Sequence, residues 1–408
     1  MLAPMRDTET ATVIVMAGVG SRYETKKQNG LAHFLEHMFF KGTKKRPNTI
    51  DIGRELDAIG AEYNAYTAKD HTAYYAKVEA HHLDTALDVV SDIFLNAKLE
   101  KKEIDRERGT ILQEINMYED MPQCMVEVYF EKLLYGEYPL GWEIIGPKDN
   151  IKSFKRDDFI KYLNCGYTAQ NVVVGVAGKI SPTVAKKAIE KHFARIRRGK
   201  RPVLKKVKEK QTKPQVFIKH KKTDQTHIVL GVRGYDMFHE DRFVLLVLAT
   251  ILGSGMSSRL FMEVRERRGL AYSVRTSVDV YHDVGYLATQ CGVEHENLEK
   301  TIGVVLSEYK KIAEELVNNE ELKKAKEYIK GHFALGMEGS DDIVGYLATQ
   351  EVLRHKIMLP QEYTKMIDRI TTKDILRVAQ DIFENEKLNM AIIGPHINSR
   401  LLAKKLSL

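Results

Sequence analysis

Two periodicities alternate along the chain. Thr12-Val-Ile-Val-Met-Ala17 is a β-branched apolar run of strand length, and Asn171-Val-Val-Val-Gly-Val-Ala-Gly178 is a second. Both lack a polar side, as buried strands do. Elsewhere apolar residues recur at helical spacing, which predicts helices over Ile50–Ile59 (closed by Gly60), Leu83–Asn96, Lys101–Met117 and Pro182–Phe193. Glu62 to Val78, rich in Tyr, Thr and Ala, predicts two strands paired about a turn near Lys69-Asp70-His71. Hairpins mixed with helices predict an α+β sandwich rather than a doubly wound parallel sheet. Leu2-Ala3-Pro4-Met5 runs almost directly into the strand-like stretch from Thr10 to Gly18, so an initial strand is expected to be short or missing.

The pattern then recurs. Thr226-His-Ile-Val-Leu-Gly231 answers the first strand, Gly292-Val-Glu294 with Leu298 answers Lys77-Val-Glu79 with Leu83, and Asn389 to Gly394 answers Val172 to Gly178. The three offsets are all about 215 residues, as an internal duplication leaves them. Between the copies, Arg195 to Lys222 carries about a dozen Lys and Arg and almost no acid. It has no interleaved aromatic platform for nucleic-acid stacking and lies between two folded halves, so a solvated linker is the better reading. The expected domains are 1–200, a basic linker 201–215, and 216–408.

Composition narrows the function class. A chain of 408 residues exceeds what one core usually organises, in keeping with two domains. With 43% hydrophobic and 29% charged residues it has the balance of a soluble globular protein, and no apolar run reaches membrane-spanning length. No signal-peptide order is visible at the start. Cys124, Cys165 and Cys291 are odd in number and far apart, which fits neither a disulfide framework nor zinc-finger spacing. A reducing compartment is therefore expected: a bacterial cytoplasm, with a processed mitochondrial-matrix form as the alternative. A net charge of +7 is too modest at this length to call for nucleic acid.

The chemistry concentrates in Asn29-Gly-Leu-Ala-His33-Phe-Leu-Glu36-His37-Met-Phe-Phe-Lys-Gly42. The segment predicts a short helix, with Asn29 as its cap and Gly42 just past its end. Leu31, Phe34, Leu35 and Met38 form the buried stripe. His33 and His37 stand one turn apart on the other side, placed to pinch a cation, with Glu36 beside them. H-x-x-E-H is the inverzincin signature. By chance alone it arises in roughly one chain in thirty of this histidine content, so a third ligand must be found. In the predicted helix over Lys101–Met117, Glu107 and Glu114 lie two turns apart on one face. Such pairs are usually solvated, but Glu114 would complete a His₂Glu zinc set with an open position, and Glu107 could fix a histidine tautomer. The copy of the histidine helix, Phe243 to Leu252, holds neither His nor Glu.

Gly30-Leu-Ala-His33-Phe-Leu-Glu36-His37-Met-Phe-Phe-Lys-Gly42-Thr43, taken with Glu114, closely resembles the pitrilysin/insulinase metallopeptidases, in particular their half-length, processing-peptidase-type members. Gly60, Asn64-Ala65-Tyr66-Thr67, Thr72-Ala73-Tyr74 and the stretch Ser257 to Ser273 extend the likeness over essentially the whole chain. The resemblance implies one Zn²⁺ per chain, held by His33, His37 and Glu114, with a fourth position for water. It implies Glu36 as the base that activates this water, and Glu107 as an accessory glutamate. Asn64 and Ala65 would lie on an edge strand that pairs with substrate, and Arg265 and Tyr272 would reach the substrate or its oxyanion from the second domain. Two similar α/β-sandwich domains would form half of a clamshell, so a homodimer is expected to enclose a chamber for short or unfolded peptides, with no membrane or nucleic-acid partner. The implied activity is that of a zinc-dependent endopeptidase. The alternative is a non-catalytic, peptide-binding or scaffolding subunit of a heteromeric processing peptidase, which would not need the intact set of His33, Glu36, His37 and Glu114.

Overall fold

A computed structural model describes residues 1–395, 397, 402 and 405–408. The chain forms two compact units, each discontinuous in sequence. Met1–Asn116, Trp142–Lys205 and Ala334–Met358 make the first, and Met117–Gly141, Lys206–Phe333 and Leu359–Leu408 make the second.

The first unit holds β1 (Leu2–Pro4), β2 (Thr10–Ala17), β3 (Glu62–Thr67), β4 (Thr72–Glu79) and β5 (Val172–Gly178). They form one sheet in the order β1-β5-β2-β4-β3, with β1 parallel to β5 and the other pairs antiparallel. The initial strand is present but spans only three residues. The second unit holds β6 (Gln215–His220), β7 (Thr226–Gly234), β8 (Ala271–Val280), β9 (Gly285–Val293) and β10 (Leu388–Gly394). Their order, β6-β10-β7-β9-β8 with β6 parallel to β10, repeats the first sheet strand for strand. Two mixed α/β domains with matching five-stranded sheets are what an internal duplication produces.

Both faces of the first sheet are covered, which is why β2 reads as an unbroken apolar run. Val13, Val15 and Ala17 point into the main core, with the Leu31–Phe39 and Leu83–Asn96 helices. Ile14 and Met16 point the other way and pack with Ala73, Ala177, Val344 and Ala348. Val344 and Ala348 belong to the Ser340–Arg354 helix, from the far end of the chain. Its first residue binds the sheet directly, Ser340 Oγ lying 2.8 Å from Thr12 Oγ1 and 3.0 Å from Thr10 Oγ1. The second sheet is covered in the same way by the Pro122–Tyr135 helix, whose Met125, Val126, Phe130 and Leu134 pack against Val229, Ala288, Ala391 and Ile393. Each unit thus takes one helix from the opposite half of the chain. The ranges 1–200 and 216–408 differ from the units in these two exchanged helices. The change of unit at Lys205–Lys206 falls within residues 201–214, which form neither helix nor strand.

Candidate metal centre

The Leu31–Phe39 helix is held in the first unit by its apolar side. Leu31, Ala32, Phe34, Leu35, Met38 and Phe39 are buried, with Phe34 edge-on to Phe159 and Phe39 stacked on Tyr74. His33, Glu36 and His37 occupy the remaining side and stay partly open. One expectation for this helix is corrected. Asn29 does not cap it: Gly30 precedes the first turn with φ +98°, and the Asn29 side chain donates to Glu24 (3.1 Å) and to the Glu143 carbonyl (2.7 Å). The first turn is capped by Glu24, whose Oε2 accepts from Gly30 N at 3.0 Å and whose Oε1 accepts from Ala32 N at 2.6 Å. Burial pushes the Glu24 carboxyl up to about 8, against the pull of these N–H groups.

The second carrier is the Lys101–Glu119 helix, anchored by Ile104, Ile111 and Ile115. It brings Glu114 against both histidines, with His33 Nε2 at 3.6 Å from Oε1 and His37 Nε2 at 3.6 Å from Oε2. One ligand atom from each of the three lies within 4.8 Å of the others. A separation of 3.6 Å is long for a hydrogen bond. It is close to the edge of a tetrahedron, about 3.4 Å, built on metal–ligand bonds of about 2.1 Å. Two imidazole nitrogens and a carboxylate oxygen gathered this closely are a donor set that fits a zinc-type cation.

Behind His37 lies a polar chain. His37 Nδ1 is 2.8 Å from Glu107 Oε1, and Glu107 Oε2 is 2.6 Å from Lys41 Nζ. With its proton on Nδ1, His37 presents the Nε2 lone pair towards Glu114. Burial alone would lower the His37 pKa, but the Glu107 hydrogen bond and the charges of Glu36 and Glu114 raise it. Burial alone would raise that of Glu107, but His37 and Lys41 bring it down. His33 has no such support, since its Nδ1 is buried with no hydrogen-bond partner among the described residues. Glu36 Oε2 accepts from Thr67 Oγ1 at 2.6 Å, which ties it to the end of β3.

Asn64 and Ala65 lie on β3, which among the described residues pairs only with β4 and so forms a free edge of the sheet. The Ala65 N–H is taken by the Asn64 side chain at 2.8 Å. Arg265 and Tyr272 come together in the second unit. Arg265 sits in a π-type turn, Phe261–Glu266, where Nη1 donates to the Tyr272 carbonyl at 2.9 Å and the guanidinium lies 4.6 Å from the Tyr272 ring. Tyr272 is 78% exposed. The roles of Glu24, Lys41 and Thr67 are not assigned from the sequence: Lys41 and Thr67 act through partners far along the chain, Glu107 and Glu36, and Glu24 through backbone amides a few residues on. A second donor group, Glu79, His81 and His82, lies at the surface, where His81 Nδ1 pairs with Glu79 at 2.9 Å.

The family described as insulinase (peptidase family M16) matches residues 2–148, and the peptidase M16 inactive domain matches residues 153–329. The chain is 35% identical to the uncharacterized zinc protease YmxG of Bacillus subtilis, over 94% of this chain and 93% of that protein. The uncharacterized zinc protease Rv2782c of Mycobacterium tuberculosis is 34% identical over 97% of this chain and 91% of its own. In structure, a protease from Helicobacter pylori superimposes with a TM-score of 0.90 at 25% identity, covering 97% of this chain and 96% of that one. No helix among the described residues is long and apolar enough to cross a membrane.

Proposed function

The chain belongs to the insulinase (M16) family of zinc proteases, and from that premise we propose that it is a catalytically competent zinc endopeptidase acting on short or unfolded peptides. The observation that carries this reading is the convergence of His33, His37 and Glu114 beside a glutamate that does not join them. A degenerate subunit has no need to keep that arrangement.

His33, His37 and Glu114 would hold one zinc ion. When bound there, it supplies Lewis acidity to the scissile carbonyl and to water. The remaining chemistry belongs to side chains. Glu36, steadied by Thr67, takes a proton from the attacking water and delivers it to the amine nitrogen as the C–N bond breaks. Glu107 keeps His37 in the required tautomer. The free edge of β3 at Asn64 and Ala65 pairs with the peptide backbone as an added strand, with the Asn64 side chain giving up the Ala65 N–H to it. Arg265 and Tyr272 are assigned to substrate binding. We assign a homodimer in a bacterial cytoplasm as the working form.

The test is cleavage of a quenched, unstructured peptide, with metal content measured on the same samples. Glu36→Gln should keep its zinc and lose about 10²–10⁴-fold in turnover. His37→Ala and Glu114→Ala should lose the metal as well. Zinc-loaded wild type that cleaves no unstructured peptide would sink the peptidase reading and bring forward a peptide-binding subunit.

A further inference from the structure

The histidine helix starts at a residue that has no side chain with which to cap it. Gly30 has φ +98°, and a Cβ there would stand 2.6 Å from the Ile145 carbonyl oxygen. The capping role passes to Glu24, only 3% exposed, which accepts from Gly30 N, Ala32 N and Asn29 Nδ2. A buried carboxyl is costly unless its oxygens are used, and here both are.

The two histidines are secured differently. His37 is oriented through its ring by Glu107. His33, whose Nδ1 has no hydrogen-bond partner among the described residues, lacks such a hold, so the direction of its ring follows from the backbone of the first helical turn. The amide immediately before it, that of Ala32, receives the shortest of the Glu24 bonds, at 2.6 Å. The unit without ligands differs at this point. Its counterpart helix, Arg242–Gly253, follows Asp241, which makes no side-chain bond to the first-turn amides and is gripped by Arg377 at 2.6 and 2.8 Å.

We propose that Glu24 is a positioning residue of the metal centre: by binding the amides of Gly30 and Ala32 it fixes the first turn of the histidine helix and, through it, His33 in ligating position. This rests on His33, His37 and Glu114 being the metal ligands. It divides the work between two carboxyl groups, Glu107 acting on a ring and Glu24 on a backbone.

The test uses metal-free wild type and Glu24→Gln, titrated with Zn²⁺ and with Co²⁺ against a competing chelator. Circular dichroism and thermal unfolding are recorded on the same metal-free samples. A glutamine offers a single acceptor oxygen, so Glu24→Gln should stay folded yet bind zinc about 10- to 100-fold more weakly, with shifted Co²⁺ absorption bands. Glu24→Asp should recover part of the affinity. A lowered Tm with wild-type zinc affinity and an unchanged Co²⁺ spectrum overturns the proposal, because Glu24 would then serve stability alone. A wild type that binds no zinc overturns the ligand assignment, and the proposal with it. Where Glu24→Gln does not fold, Asn29→Ala withdraws one donor from the same carboxyl: weakened zinc binding supports the proposal, and unchanged binding overturns it.

Discussion

Lys41 lies outside the five-residue histidine motif, yet its ammonium is 2.6 Å from the carboxylate that backs His37. By pairing with the Glu107 oxygen that His37 leaves free, it fixes the carboxylate plane and hence the imidazole. Lys41→Met should leave the fold intact and weaken zinc binding by about tenfold, read by chelator competition, with Lys41→Arg close to wild type. A second residue sets a pH response. Burial pushes the His71 imidazole down to about 4 in the turn between β3 and β4. Between that value and the unfolded value of about 6.5, only the unfolded chain takes up the proton. The contribution is therefore complete above the unfolded value and is lost as pH falls through the interval, at about 1.4 kcal/mol per pH unit. His71→Gln should remove this part of the slope in urea unfolding at neutral and mildly acid pH.

Among the elements, the exchanged helices carry the clearest energetic consequence. Phe130, 1% exposed, anchors the Pro122–Tyr135 helix to the second sheet and meets Tyr286 edge-on at 5.4 Å. Phe130→Ala should cost about 3–5 kcal/mol, seen as an earlier urea transition of the second unit. The elements themselves could be read from the sequence, because period and turn chemistry are local properties. The β3–β4 hairpin, the histidine helix and the repeated strand order all answer to such patterns. The destination of a helix does not. The apolar face of Ser340–Arg354 says that something covers it, but not that Ile14 and Met16 of β2 do. The site divides along the same line. His33, Glu36 and His37 share one helical turn and stand out in the sequence, and Glu114 could be sought because zinc needs a third ligand. The contacts of Glu24, Lys41 and Thr67 depend on side-chain geometry that no spacing announces. Asn29 is of a residue type that favours caps, but its side-chain amide is taken instead by Glu24 and by the distant Glu143 carbonyl.

For the whole molecule, the exchange makes the two halves interdependent. A fragment of residues 1–205 lacks the Ser340–Arg354 helix and leaves Ile14, Met16, Ala73 and Ala177 facing water. It should bind a hydrophobic dye and aggregate, and co-expression with 206–408 should restore solubility; a monomeric, cooperatively unfolding fragment alone would contradict this. The same exchange has a consequence in time. Chains leave the ribosome at about 5–20 residues per second, so the first sheet waits on the order of ten seconds between the end of its own segment and the arrival of its second cover. During synthesis this protein is thus a half-clad sheet carrying a newly formed histidine helix. Chaperones and proteases that attend nascent chains meet that intermediate before any peptide meets the finished site.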